Sequence, residues 1–367
     1  MPSQILHSLF AEDLYGEIIS SGALGEEAGE FLNLILRKFR KAFVLGTQGP
    51  DIFYHSQGRR PLGFAYGSLL HRRGIGNFCA GLLGAALPAG EIRALGAYAL
   101  GFITHPILDR LAHPFIIYKS LYCSGSLSKA PAISRPRSFH AFFERIIDSL
   151  MLKNLRNTHV SGWDQEEFLG ESCENPPPGL KELLCQTLVS AFPERAGEDE
   201  KLKSRIDNTF LDCAGFYRKT APANTSMEKP GEKPGFINAG EMTKRRLSLL
   251  YPEKLPPDID FLNLEKRPWY YPGGEKKEDQ RSFPEIYTQA VRAAVSTLGP
   301  LVKGLLEEGF LPCKEAAGLI GNGGLSITDE AGNPLLPVYS DPLPLEEVLE
   351  GQARFRGAVN LQPGSLR

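Results

Sequence analysis

Apolar positions recur at helical spacing through the first 220 residues and lose that rhythm afterwards. Leu32, Ile35, Leu36, Phe39 and Phe43 mark one buried face and predict a helix from about Gly25 to Ala42. Phe64 to Leu87 reads as a second helical region, loosened by glycines. Glu91 to Tyr118 is nearly all apolar, and a helix apolar on every side belongs at the centre of a bundle. Phe142, Phe143, Ile146, Ile147, Leu150 and Met151 form a broad stripe on a helix from Phe139 to Leu155. Leu180 to Phe192, restarted after Pro176-Pro177-Pro178-Gly179, and Lys201 to Arg218 are further helices.

Beyond Thr220 prolines, glycines and charges crowd together, as in Glu228-Lys229-Pro230-Gly231, and predict a long exposed excursion to Arg281. A short helix over Glu241 to Leu250 interrupts it, and Trp269-Tyr270-Tyr271-Pro272 is an aromatic knot suited to dock it on the bundle. Ile286, Ala290, Ala293, Ala294 and Leu298 give one more amphipathic helix over Phe283 to Glu308. The remaining tail has weak periodicity, with a small hairpin expected around Glu330-Ala331-Gly332-Asn333. The fold class is therefore all-α, a multi-helix bundle. Its segments are a helical bundle over 1–219, an excursion over 220–281, a returning helix over 282–310 and an irregular tail over 311–367.

Net charge is −2, which gives no global pull toward nucleic acid or an anionic membrane. Lys244-Arg245-Arg246 reads as a solvated helix face. The start, Met1-Pro2-Ser3, lacks a signal-peptide pattern, and no apolar run reaches the ~20 residues of a membrane span. A cytoplasmic protein without stable membrane insertion is expected. Its 6 cysteines form no CxxC pair, which argues against a thiolate zinc site.

The candidate chemistry lies inside the most apolar segment. His105, Asp109 and His113 fall at i, i+4 and i+8, so one helix face presents two imidazoles around a carboxylate. Burying three ionisable groups together is costly unless something pairs with them, and a divalent cation does so most cheaply. His140 and Glu144 form an H-x-x-x-E pair on the next helix. His71 ends an apolar run, His7 sits in an apolar segment, and Asp51 closes the glycine-rich loop Gly46 to Asp51. Imidazole and carboxylate together suit zinc, and this many candidates imply two or three ions. Each piece also has a plain structural reading: an isolated histidine is usually core, and an i,i+4 His–Glu pair is usually a salt bridge. The H-x-x-x-D-x-x-x-H run is stronger, because its neighbours exclude a solvated face. His159 reads as surface, and Asp148 as a partner rather than a ligand. His55 stands where it can touch substrate, and Phe53, Tyr54, Phe64 and Tyr66 can line an aromatic pocket.

In this order, His7, Gly49-Pro50-Asp51, His71, His105-x-x-x-Asp109, His113-Pro114 and His140-x-x-x-Glu144 resemble the bacterial zinc-dependent phospholipase C family, as does the lead-in Ala97 to Phe102. The likeness covers roughly residues 1–160. It implies a helical bundle with three zinc ions. Asp51, His71, His105 and Asp109 would hold one, and His113, His140 and Glu144 a second. His7 would help hold the third, with Asp109 bridging, and Asp51 would be the general base for the attacking water. Two departures stand out. Secreted relatives ligate the third zinc through an N-terminal tryptophan, whereas this chain starts Met1-Pro2, and Ile52 follows the aspartate where the family's choline-recognising residues find no match.

The expected function is thus a zinc-dependent hydrolase of a phosphodiester, with a phospholipid among the candidate substrates and no nucleic-acid partner. Two alternatives remain open: a related zinc nuclease, and a catalytically silent, metal-stabilised scaffold.

Overall fold

A computed structural model describes residues 4–22, 24–86, 93–120, 137–225, 244–308 and 313–356, and over them the chain is all-helical with a single two-stranded ribbon. Helices α1 (Gln4–Ser20), α2 (Glu26–Lys38) and α3 (Arg40–Thr47) lead into a 3₁₀ turn at Gly49–His55. Helices α4 (Phe64–Arg72), α5 (Ile75–Ala86), α6 (Ala94–Phe102), α7 (His105–Ser120) and α8 (Arg137–Arg156) follow. Next come α9 (Glu171–Glu174), α10 (Leu180–Ala191), α11 (Pro193–Ala196), α12 (Leu202–Thr220), α13 (Pro222–Thr225) and α14 (Lys244–Leu247). The ribbon pairs β1 (Trp269–Tyr270) with β2 (Glu278–Asp279), ahead of α15 (Phe283–Lys303), α16 (Cys313–Ile320) and α17 (Leu345–Phe355).

Three expected helices are each two. The first breaks at Phe39 between α2 and α3, and the second turns at Gly74 between α4 and α5. The long apolar segment breaks at Ile103-Thr104, so His105 opens α7 rather than lying mid-helix. A continuous apolar run hides such breaks, because neither flank of the kink is polar. The N-terminal segment holding His7, read only as apolar, is the full helix α1. The irregular tail is corrected as well: it holds α16 and α17. Leu345, Val348, Leu349, Gln352 and Ala353 of α17 keep helical spacing into the core, a pattern masked by the surrounding prolines. The hairpin expected in the tail is a single bridge, Thr328 to Pro334. The Pro/Gly run from Glu228 to Gly235, the chain start Met1-Pro2 and the expected helix ends at Leu87 and Glu91 lie outside the described residues.

One apolar core runs from Leu6 on α1 to Ala353 on α17. At its centre α3 and α6 touch backbone to backbone. A Cβ on Gly46 would lie 2.1 Å from the Tyr98 carbonyl oxygen, and one on Gly101 would lie 2.3 Å from that of Phe43, so only glycine permits this approach. The excursion is docked through its aromatics. Trp269 packs on Phe115 and Tyr118 at centroid distances of 5.6 and 6.2 Å, and its Nε1 donates to the Arg281 carbonyl. No described helix is long and apolar enough to cross a membrane.

Candidate metal centre

The α3–α6 contact sets the distance between the glycine loop and α7. Thr47, the last residue of α3, turns its carbonyl to His105 Nδ1 at 3.1 Å. Gly49 then reverses with φ +54°, and a Cβ there would lie 2.4 Å from the His105 ring. The glycine therefore makes room for the imidazole and lets the following turn swing Asp51 onto it. His105 Nε2 lies 3.2 Å from Asp51 Oδ2 and 3.2 Å from Asp109 Oδ2. From α4, His71 Nε2 reaches Asp51 Oδ1 at 2.9 Å and Asp109 Oδ2 at 3.8 Å. From α1, His7 Nε2 reaches Asp109 Oδ1 at 3.2 Å while its ring stacks on His105 at 4.0 Å. Farther along α7, His113 Nε2 lies 3.7 Å from Glu144 Oε1, and His140 Nε2 lies 3.0 Å from the same oxygen.

Eight side chains thus converge from α1, the 3₁₀ turn, α4, α7 and α8 in three groups able to hold an ion. These are Asp51–His71–His105, His7–His105–Asp109 and His113–His140–Glu144. His105 belongs to two groups, but with its Nδ1 hydrogen bonded to Thr47 it has one lone pair and can serve one ion. Asp109 has an oxygen for each of two neighbours and is the natural bridge. The donor set fits a divalent cation. Asp51 Oδ2 and Asp109 Oδ2 each lie 3.2 Å from His105 Nε2, all three atoms buried with no directed hydrogen-bond partner among the described residues, a condition that calls for a cation.

The outer contacts point the same way. His71 Nδ1 donates to the Gly67 carbonyl at 2.7 Å and His113 Nδ1 to that of Leu325 at 2.6 Å. Ser120 Oγ gives its proton to the Ile116 carbonyl, which leaves it to accept from His140 Nδ1 at 3.3 Å. A carbonyl only accepts, so each Nδ1 carries the proton and each Nε2 keeps the lone pair that ligation needs. Asp148 works on the backbone instead. Its buried carboxylate accepts from the N–H groups of Gln4, Ile5 and Leu6 at 3.0, 3.2 and 2.8 Å, capping α1 one turn before His7.

Burial pulls the His105 pKa down, but the Asp109 and Asp51 carboxylates outweigh it and raise it to about 9. Burial likewise opposes, and Asp109 and Glu144 overcome, at His113, also raised to about 9. At His7 and His140 burial wins and the pKa falls. Burial pushes the Asp51, Asp109 and Glu144 carboxyls up, yet the adjoining imidazoles hold all three below their ordinary values. The pocket therefore favours positive charge. The His7 and His105 side chains are 2% and 0% exposed, and those of His71 and His140, in two different groups, 14% and 15%.

Of the residues expected to line a substrate pocket, Phe53, Tyr66 and His55 lie in the core, whereas Tyr54 borders His71. Phe53 is wholly buried against Tyr66, whose hydroxyl donates to Asp199 at 2.7 Å, so neither offers a surface to substrate. Tyr54 and Phe64 are half-buried instead, with Tyr54 tilted on His71 at 4.7 Å and on Phe64 at 5.2 Å. His55 is also corrected to core. It stacks on Phe216 at 3.9 Å, and neither ring nitrogen has a hydrogen-bond partner among the described residues. Burial, helped by the Arg145 charge, lowers its pKa from 6.5 to about 3. The unfolded chain then binds the extra proton as pH falls below 6.5, and native stability drops by about 1.4 kcal/mol per pH unit down to about 3. His55→Phe should flatten this acid slope relative to wild type in thermal unfolding between pH 7 and 4; an unchanged slope would return His55 to a solvated setting. His159 is exposed and accepts from the Ser161 N–H, as a surface residue does.

What the residues alone did not reveal are the carbonyls of Thr47, Gly67 and Leu325, since every residue type carries one. Gly46, Gly49 and Gly101 did carry a signal in being glycine. Comparison with protein-family models, curated proteins and solved structures finds no match for this chain.

Proposed function

We propose that this chain is a zinc-dependent phosphoesterase, phospholipase C-like, which hydrolyses a phosphodiester with Asp51 as general base. The carrying observation is that buried Asp51 Oδ2, Asp109 Oδ2 and His105 Nε2 meet with no directed hydrogen-bond partner among the described residues, inside three groups of ligand-type side chains. Bound divalent cations supply Lewis acidity there, making water more acidic and offsetting charge on phosphoryl oxygens. The chain's own groups supply the rest. Asp51 is held ionised by His105 and His71, and its Oδ2 retains a lone pair for the proton of the attacking water. Among the candidate imidazoles His7 and His105 are the most buried, and His71 and His140 are the most accessible to water. Asp109 ties two ligand groups together through its separate oxygens.

One observation favours the nuclease alternative: half-buried Tyr54 beside His71 is the kind of platform on which a base stacks. A cytoplasmic setting is part of the proposal, supported by buried Cys173 and Cys213, which stand in contact as thiols. The test is hydrolysis by zinc-reconstituted protein of a bis-nitrophenyl phosphodiester, phosphatidylcholine vesicles and single-stranded DNA. The nitrophenyl diester should be cleaved and the DNA spared, and cleavage of the vesicles would add a phospholipid to the substrates. Cleavage of the DNA alone establishes the nuclease, and inertness toward all three with full metal content establishes the silent scaffold.

A further inference from the structure

Arg110 follows Asp109 on α7, yet its guanidinium meets no carboxylate among the described residues. It is wrapped instead by four backbone carbonyls of the segment after α16. Nη1 donates to Ile320, Nη2 to Gly321 and Gly323 at 3.0 Å each, and Nε to Gly324 at 3.2 Å. The segment is pinned again from α5, where the Asn77 N–H donates to Asn322 Oδ1 at 2.9 Å, and by the Gly74 N–H on the Asn322 carbonyl. All this bonding delivers one residue. The Leu325 N–H donates to the His71 carbonyl at 2.9 Å, and the Leu325 carbonyl accepts from His113 Nδ1 at 2.6 Å. The backbone of a single residue thus spans two histidines of the candidate centre, on α4 and α7. Without that carbonyl, His113 Nδ1 is left with Asp109 Oδ2 at 3.7 Å as an alternative acceptor, and turning toward it would swing Nε2 away from Glu144.

We propose that Arg110 and the Ile320–Leu325 segment form a positioning clamp for the metal centre, fixing the ring and tautomer of His113 and so setting the affinity of the His113–His140–Glu144 group for its ion. The inference rests on the metal reading of the site made above. The clamp acts from the C-terminal part of the chain on ligands in the N-terminal part. Loss of an outer-shell partner costs roughly 10- to 100-fold in metal affinity at the ligand it orients. The effect falls chiefly on one ion of the set, since among the described residues the clamp meets the other groups only at the backbone carbonyl of His71, whose ring is held separately by the Gly67 carbonyl.

Zinc retention under chelator competition on the full-length chain tests this. Arg110→Ala should release one ion about 10- to 100-fold more readily while the others stay at wild-type affinity. Arg110→Lys, which keeps the charge but lacks the planar fork, should fall between the two. The ion lost should be the one lost in His140→Ala, and the double variant should lose no more. Long-range nitrogen–proton NMR reads the tautomer without activity: His113 should carry its proton on Nδ1 in wild type and become a mixture in Arg110→Ala. Wild-type retention of every ion in both Arg110 variants, or equal weakening of all ions, overturns the clamp while leaving the metal reading intact. A wild-type chain that binds no zinc overturns both. If Arg110→Ala fails to fold, Arg110→Lys carries the comparison.

Discussion

Asp51→Asn should leave the protein with near-normal zinc content and cut hydrolysis of a nitrophenyl phosphodiester by about 10²- to 10⁴-fold, the usual contribution of a general base. The amide keeps an oxygen where Oδ1 now meets His71 and loses the anion that takes the proton. Metal is expected to stay because His71, His105 and Asp109 remain around the same point, each within 3.8 Å of a neighbour in the group. Steady-state rates beside metal analysis of the same preparation decide the matter. Undiminished turnover would remove Asp51 from the chemistry and leave it a ligand only. Loss of metal together with turnover would make its role structural.

Stripping divalent cations should lower the melting temperature by roughly 15 °C, and zinc should restore it. Each ion held at a thousand times its dissociation constant stabilises the native state by about 4 kcal/mol, and three groups give about 12 kcal/mol. The groups join α1, the 3₁₀ turn, α4, α7 and α8, elements far apart in the chain, so their loss is felt by the whole bundle. Calorimetry with and without chelator is the measurement. A melting point indifferent to chelator would mean that protons on His105 and His113, which the carboxylates already favour, satisfy the pocket without an ion.

The eight candidate ligands were legible because seven histidines in 367 residues are few enough to weigh singly, and most stand where apolar neighbours rule out a solvated role. The i,i+4,i+8 run on α7 needs only helix geometry to place its three side chains together. His55, Phe53 and Tyr66 misled for the same reason that the ligands did not. Proximity in sequence to Asp51 says nothing about which way a 3₁₀ turn aims successive side chains, and here that turn sends Asp51 to His71 and Phe53 into the core. The helix break at Ile103-Thr104 escaped the periodicity because the buried segments on both sides are equally apolar, whereas those at Phe39 and Gly74 fall among exposed charges (Lys38 and Arg40, Arg72 and Arg73) that a solvated helix face carries as well.

The amino-acid order by itself determined the helical class and the residue types available to hold a cation, since both follow from local spacing and side-chain chemistry. Only the tertiary structure decided how the ligands group, that His71 and His140 keep some exposure while His7 and His105 do not, and that Leu325 from the C-terminal part of the chain holds His113. Those facts depend on backbone carbonyls and on close glycine contacts between helices, and neither leaves a side-chain pattern from which long-range distance can be read.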